Sequence, residues 1–224
     1  MRRATLLRAT LVLLAGCVAS LPVWSDAVGD FFRAIVQDDD GALRRLLARG
    51  VDPNARNDRG VPGLVLALQE DRLKAARVLL DSPRLKPEER NPAGESPLMV
   101  AALKGDLAIA RRLIALDADV NKPGWTPLHY AATNGHVAMI ELLLDENAFI
   151  DAEAPNGNTP LMMAAYFGSP EAVKVLIQAG ADLRMRNRQG QTALDLAQQG
   201  GRANAAELLI EGLRRSQGVP RGQW

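Results

Sequence analysis

The sequence contains two histidines, His129 and His136, and a single cysteine, Cys17, which are residue types often used as bases, nucleophiles and metal ligands. A Ser-His-Asp site needs a nucleophilic hydroxyl within hydrogen-bond reach of a histidine. The nearest hydroxyls along the chain, on Thr126 and Thr133, are expected to stabilise the helix that carries His129. Because no convergent catalytic set is visible, the sequence predicts a protein that is not an enzyme.

Metal and nucleotide sites are not predicted either. The acidic run Asp38 to Asp40 lacks the alternating ligand spacing and the closing glutamate of an EF-hand calcium loop. The phosphate-binding patterns GxGxxG and GxxxxGK do not occur in the sequence. We therefore expect no metal, no cofactor and no small-molecule substrate.

The charge balance argues against a nucleic-acid partner. The chain has 27 basic and 26 acidic residues, and three arginines, Arg2, Arg3 and Arg8, stand before the apolar run that opens the chain. The remainder carries 24 basic and 26 acidic residues, a formal charge of −2. Phosphate contacts require a strongly basic face, so we expect no nucleic acid among the partners.

The first residues are typical of an export signal. The arginines precede an apolar run without charge until Asp26, and Pro22 interrupts it too early for a membrane-spanning helix of about 20 apolar residues. We predict a cleavable leader at residues 1–25 and a periplasmic protein. Leu14 to Cys17 also resembles the lipobox of bacterial lipoproteins, so a lipoprotein anchored through Cys17 is one alternative, and secretion is another. A membrane is expected among the partners only if Cys17 is lipidated.

The rest of the chain repeats one short unit, which is most complete in Gly124–Ala152. Thr126 can cap a helix, Pro127 fits its first turn and Gly135 can end it. A second apolar run at helical spacing follows, formed by Val137, Ile140, Leu143 and Leu144. The unit is therefore expected to fold as two antiparallel helices.

The spacing of the glycines that open these units predicts a stack. Gly124, Gly157 and Gly190 recur at two equal intervals, which match the period of about 33 residues expected of stacked helix pairs. Gly94 and Gly60 precede weaker copies of the same unit, with a shorter interval before Gly124 and a slightly longer one before Gly94. One such unit buries too little apolar surface to fold alone, so stability must come from contacts between neighbours.

These units resemble ankyrin repeats. The TPLHxAA pattern of that family, followed by GH, reads TPLHYAA from Thr126 to Ala132 and then Gly135-His136. The resemblance implies an all-α ankyrin-repeat solenoid of about six helix-turn-helix units with short β-hairpin fingers, and structural roles for both histidines. We place the domain at 26–213, with a flexible basic tail at 214–224. The units are expected near 28–56, 57–90, 91–121, 122–153, 154–186 and 187–213.

The resemblance also indicates where a partner binds. Ankyrin domains usually contact partners through a concave face made of the finger tips and the exposed ends of the inner helices. The aromatic residues there, Trp125, Tyr166 and Phe167, stand where typical repeats are polar, and they could anchor a partner. Alternatively, Trp125 folds inward over Tyr166 and the group belongs to the core. The predicted partner-binding residues are Leu103, Lys104, Trp125, Asn134, Asn156, Asn158, Tyr166, Phe167, Gln189 and Gln199.

The chain is also similar to small exported ankyrin-repeat proteins of Gram-negative bacteria. That similarity implies a monomeric, non-catalytic protein–protein interaction scaffold in the bacterial cell envelope, with an envelope enzyme such as a catalase as a candidate client. Two alternatives stay open: a secreted effector that binds a host protein, and a lipid-anchored immunity or inhibitor protein.

Overall fold

The computed structural model describes residues 24–217 of the 224-residue chain. Twelve helices in this part form six consecutive pairs, here called units one to six. The inner helices are α1 (Trp24–Val36), α3 (Gly63–Gln69), α5 (Pro97–Lys104), α7 (Pro127–Asn134), α9 (Pro160–Tyr166) and α11 (Ala193–Gln199). The outer helices are α2 (Asp40–Ala48), α4 (Leu73–Leu80), α6 (Leu107–Ile114), α8 (Val137–Asp145), α10 (Pro170–Gln178) and α12 (Ala203–Gln217). The predicted all-α repeat solenoid is confirmed.

The helices stack in two layers. Each inner helix contacts its own outer helix and the inner helix of the next unit, and each outer helix contacts the next outer helix. Leucine and alanine fill the space between the layers, as in α7, where Leu128, Ala131 and Ala132 are fully buried. Because every unit depends on its neighbours, the core is a continuous strip along the stack.

The inner helices begin in a regular way. Ser96, Thr126, Thr159 and Thr192 occupy the N-cap positions of α5, α7, α9 and α11. Proline follows the cap in α5, α7 and α9. An amide hydrogen at this first helical position would have no acceptor within the helix, so the lack of one in proline costs no hydrogen bond. The repeated short polar residue before proline therefore sets the start of each of these three helices.

The fingers between units are tight turns. The backbone N–H of Ala154 donates to the carbonyl of Asn158 at 2.9 Å, and Asn187 donates to Gln191 at 3.0 Å. A glycine with positive φ completes each turn. In each finger one backbone hydrogen bond crosses the base and one turn bond, from Gly157 to Ala154 at 2.8 Å or from Gly190 to Asn187 at 2.9 Å, closes the tip, so no ladder extends along it. Residues 24–217 accordingly contain no strand, and an isolated antiparallel bridge joins Arg56 and Pro62.

The last helix extends about one turn past the predicted end of the domain. α12 continues to Gln217, and Arg215 forms an i,i+4 ion pair with Glu211. Arginines in the final turn also interact favourably with the helix dipole. Residues 214–217 are therefore helical, and the rest of the predicted tail lies outside the described residues.

The predicted leader lies almost wholly outside the described residues as well. α1 already begins at Trp24, before the predicted cleavage site at Asp26. In the described part of the chain, no helix combines the length and the apolar character needed to cross a membrane.

Candidate partner-binding surface

His129 is fully buried and joins unit four to unit five. Its Nδ1 lies 3.2 Å from the Thr126 amide nitrogen and 2.8 Å from the Thr126 hydroxyl, while its Nε2 lies 2.9 Å from the Asn158 carbonyl oxygen. An amide can only donate, so Nδ1 accepts and Nε2 carries the proton given to Asn158. Burial lowers the pKa of His129 to about 4. The ring is therefore neutral and structural.

His136 has a similar role between units three and four. It is the N-cap residue of α8, and its Nε2 lies 2.9 Å from the carbonyl oxygen of Leu103. The side-chain amide of Asn134 donates to the same carbonyl at 2.8 Å. Both histidines thus satisfy backbone carbonyls of a neighbouring unit, as the family resemblance implied.

Trp125 lies in the short finger of unit four and is half-buried. Its ring packs edge-on against His129, with centroids 5.3 Å apart and planes at 75°. Tyr166 and Phe167 pack against each other, with centroids 4.5 Å apart. The predicted aromatic group is therefore divided: Trp125 folds inward over His129, and Tyr166 and Phe167 form a separate pair in unit five.

Tyr166 and Phe167 stand beside a concave slot between the fingers and inner helices of units five and six. The slot has a volume of about 530 Å³, and the Phe167 residue is 51% exposed. Six of the ten predicted partner-binding residues line it, namely Asn156, Asn158, Tyr166, Phe167, Gln189 and Gln199. The fold thus gathers most of the predicted set in one place.

The polar side of the concave slot is held in place by side-chain amides. Asn187 is buried at the centre of this network. Its Oδ1 accepts from the backbone amides of Gln189 and Gln191 at 3.0 and 2.9 Å. Its Nδ2 donates to Asn158 Oδ1 at 2.9 Å. Gln191 Nε2 in turn donates to Gln199 Oε1 at 2.9 Å. This network is ordered before any partner arrives, which reduces the entropy lost on binding.

The chemistry of the concave slot favours contact over catalysis. Among its lining residues in the described part of the chain, Arg188 alone carries a formal charge at neutral pH. Amide donors and acceptors beside the exposed Phe167 ring and the half-buried Tyr166 ring suit an uncharged polypeptide segment. Residues 24–217 also contain no group of three or more His, Cys, Asp or Glu side chains that could hold a metal ion.

The other four predicted residues lie outside the concave slot, in units three and four. Lys104 forms an ion pair with Asp71 at 2.8 Å, and Asn134 donates to the carbonyl of Leu103. Trp125 covers His129. Lys104 and Asn134 therefore connect neighbouring units, the backbone carbonyl of Leu103 accepts one of these contacts, and Trp125 packs within unit four.

Asn187 and Gln191 contribute to the concave slot but were not among the predicted residues. A signal for Asn187 was present, because an asparagine precedes the finger glycine at the same spacing in three units, at Asn57, Asn91 and Asn187. In each case its side-chain oxygen accepts from backbone amides of the finger. The repetition marks a turn-forming asparagine, whose side chain can imitate a backbone carbonyl.

Comparison with known proteins agrees with this architecture. Three copies of the "Ankyrin repeats" family model match residues 31–123, 84–154 and 147–216. The rat "Ankyrin repeat and SAM domain-containing protein 6" is 32% identical over 111 residues, which are 48% of this chain and 12% of that protein. The chain thus spans only a small part of this curated relative.

Two solved bacterial structures match most of the chain. An ankyrin repeat domain from Acinetobacter baumannii AYE has a TM-score of 0.71 and 25% identity, covering 81% of this chain and 96% of that one. A chain in a structure of a predatory endopeptidase from Bdellovibrio bacteriovorus in complex with an immunity protein has a TM-score of 0.71 and 30% identity. That match covers 81% of this chain and 97% of the other. The stacked helix pairs, their capped starts and these matches lead to one conclusion: the chain belongs to the ankyrin-repeat family.

Proposed function

We propose that the protein is a non-catalytic scaffold that holds a protein partner in the concave slot of units five and six. The observation that carries this proposal is the exposed ring of Phe167, paired with the half-buried ring of Tyr166, beside an uncharged amide network. Aromatic side chains bury a large area while few rotatable bonds become fixed. Ankyrin repeats are protein–protein interaction modules and are generally non-catalytic, which supports the same function.

The proposed place of action is the bacterial cell envelope. The arginine-led apolar run before Asp26 supports export, with cleavage before Asp26 or lipidation of Cys17 as its two outcomes. Mass spectrometry of the mature N-terminus distinguishes them, and cell fractionation tests the compartment. Recovery in the periplasm is expected, whereas recovery in the culture medium would favour a secreted effector that binds a host protein.

A second candidate function is inhibition of an enzyme. The matched Bdellovibrio structure contains an endopeptidase bound to an immunity protein, and 97% of the matched chain in that structure is covered. An inhibitor would present the same concave slot to the surface of its target. A client such as a catalase is supported only by similarity to small exported ankyrin-repeat proteins.

The binding proposal is tested by replacing the exposed ring. Full-length protein with Phe167→Ser is compared with wild type in affinity capture from envelope extract, followed by titration of the purified partner. Truncating an anchor of this type weakens binding by about 1–2 kcal/mol or more, which is roughly 5- to 30-fold. Phe149→Ser is the matched control, because Phe149 is 66% exposed and does not line the slot. Equal binding by both variants would refute the assignment of the slot.

The scaffold and the inhibitor functions are separated by the activity of the captured partner. If the partner is an enzyme, its turnover is measured with and without added wild-type protein. A scaffold leaves the turnover unchanged or protects it over time, whereas an inhibitor abolishes it at stoichiometric concentration. The Phe167→Ser variant should lose either effect together with its binding.

A further inference from the structure

The outer helices of units one to three carry a row of arginines on the convex face. Arg44, Arg77 and Arg111 are each the fifth residue of their helices, α2, α4 and α6, and all three are exposed. α2 contacts α4, and α4 contacts α6. Packed helices lie about 8–10 Å apart, so equivalent positions form a line across the stack. We call these three residues the arginine row.

Further cations surround the arginine row. Helices α2, α4 and α6, with the residues that end them, carry seven Arg and Lys side chains against two carboxylates, Asp40 and Asp81. Those carboxylates lie 3.8 Å from Arg44 and 3.9 Å from Arg112, and with both counted the three helices keep an excess of five positive charges. The four other cations are Arg45, Arg49, Lys74 and Arg112.

The row ends sharply at unit four. The equivalent fifth position of α8 is Glu141, and the same helix ends with Asp145 and the C-cap residue Glu146. The convex face is therefore basic at one end and acidic beside it, although the formal charge of the chain is only +1. Net charge, on which our exclusion of polyanionic partners depended, hides this separation.

We propose that the arginine row docks on a membrane surface rich in anionic phospholipids, with the concave slot facing away from it. Units one to three form the amino-terminal end of the stack, so lipidation of Cys17, one of the two processing outcomes given above, would bring this basic end next to the bilayer. Cations close to an anionic bilayer are each attracted to it. The two surfaces lie on opposite layers of helices, which lets the protein face a membrane and hold a partner together.

A bilayer fits the row better than a second copy of the chain does. In a dimer, the arginine row of one copy would have to contact an acidic surface of the other. The acidic outer helix of unit four has only three carboxylates for this, Glu141, Asp145 and Glu146. The arginines stand on separate helices of a convex face, so they can contact a broad anionic surface simultaneously. Attraction of this kind should fall steeply with added salt.

The test is co-sedimentation of the full-length chain with vesicles of phosphatidylcholine and phosphatidylglycerol, or of phosphatidylcholine alone. The neutral vesicles measure any insertion of residues 1–25, and the difference between the two vesicle types measures electrostatic docking. The row variant is Arg44→Gln, Arg77→Gln and Arg111→Gln combined. The matched control removes three exposed arginines outside both the row and the concave slot, Arg59, Arg214 and Arg215, by the same change to Gln.

The row variant should lose on the order of 100-fold in affinity for the anionic vesicles, because each cation contributes about fivefold. The control variant should change by less than about threefold, and both should melt at the wild-type temperature. Equal losses in the two variants, or equal wild-type binding to anionic and neutral vesicles, would overturn the proposal. So would row-dependent binding to duplex DNA, or row-dependent self-association, without vesicle binding.

Discussion

Units four and five have nearly the same inner-helix sequence but direct their aromatic side chains differently. Unit four reads TPLHYAATNG and unit five reads TPLMMAAYFG. In unit four, Trp125 covers the buried His129, which hydrogen-bonds to the next finger. In unit five, Met162 takes the histidine position, and Phe167 at the helix end is exposed.

The difference shows that the residue type at one position of the repeat decides whether that position connects two units or stays exposed. Backbone carbonyls near the end of an inner helix accept hydrogen bonds from side chains of the next unit. Asn134 and His136 donate to the carbonyl of Leu103, and Arg202 donates to the carbonyl of Tyr166. Phe167 occupies the position of Asn134 but has no donor to offer. A position that connects units elsewhere is thereby available for contact with a partner.

The largest effect is expected from removing the histidine of unit four. His129→Ala leaves the Asn158 carbonyl and the Thr126 amide without their partner and opens a cavity, so we expect a loss of about 3–5 kcal/mol in the free energy of unfolding. His129→Met should cost clearly less, because Met162 Sδ lies 3.5 Å from the Thr159 amide in the equivalent arrangement. Urea denaturation of both variants gives the comparison. Equal losses would show that the hydrogen bonds of His129 contribute little.

The same histidine predicts a dependence of stability on pH. Burial lowers the pKa of His129 to about 4 in the folded state, while the unfolded value is about 6.5. The unfolded state therefore binds the proton first, and stability falls as the pH decreases from about 6.5 to 4, by about 3 kcal/mol for this group. Carboxylates add their own dependence at the lower end, so the measured quantity is the difference between wild type and His129→Met. A difference that does not vary with pH would contradict the prediction.

A smaller loss is expected at the glycine that ends the inner side of unit five. A Cβ at Gly168 would lie 2.5 Å from the Ala132 carbonyl oxygen and 2.9 Å from Ala164 Cα, both of which are backbone atoms. Gly168→Ala should therefore push units four and five apart and cost about 1–3 kcal/mol. Gly29→Ala is the control, because a Cβ on this α1 residue meets nothing within 4 Å and should stabilise slightly. Similar unfolding midpoints for the two variants would show that the contact relaxes easily.

Much of this architecture could be predicted from the sequence because it repeats. The equal spacing of Gly124, Gly157 and Gly190, and the Thr-Pro starts of α7 and α9, indicate the helix pairs and their stacking. The inward direction of Trp125 was one of two alternatives left open by the sequence. Its contact with His129 in place of Tyr166 was not predicted, because it depends on the burial of His129 beneath the finger. The arginine row was not predicted either, since it appears only when equivalent positions of separate helices are aligned.

The smallest effect, and the most direct test of the comparison, comes from the two aromatic positions themselves. Trp125→Ser removes a ring packed on His129, and we expect a loss of about 1–2 kcal/mol in stability. Phe167→Ser removes an exposed ring, so its loss should be about 0.5 kcal/mol, as for most surface substitutions. Thermal melting of the two variants under the same conditions gives both values. If Phe167→Ser destabilises as much as Trp125→Ser, the exposed ring supports the fold, and its availability to a partner loses its basis. If only Trp125→Ser destabilises, Trp125 in unit four supports the fold, and Phe167 in unit five is free to contact a partner.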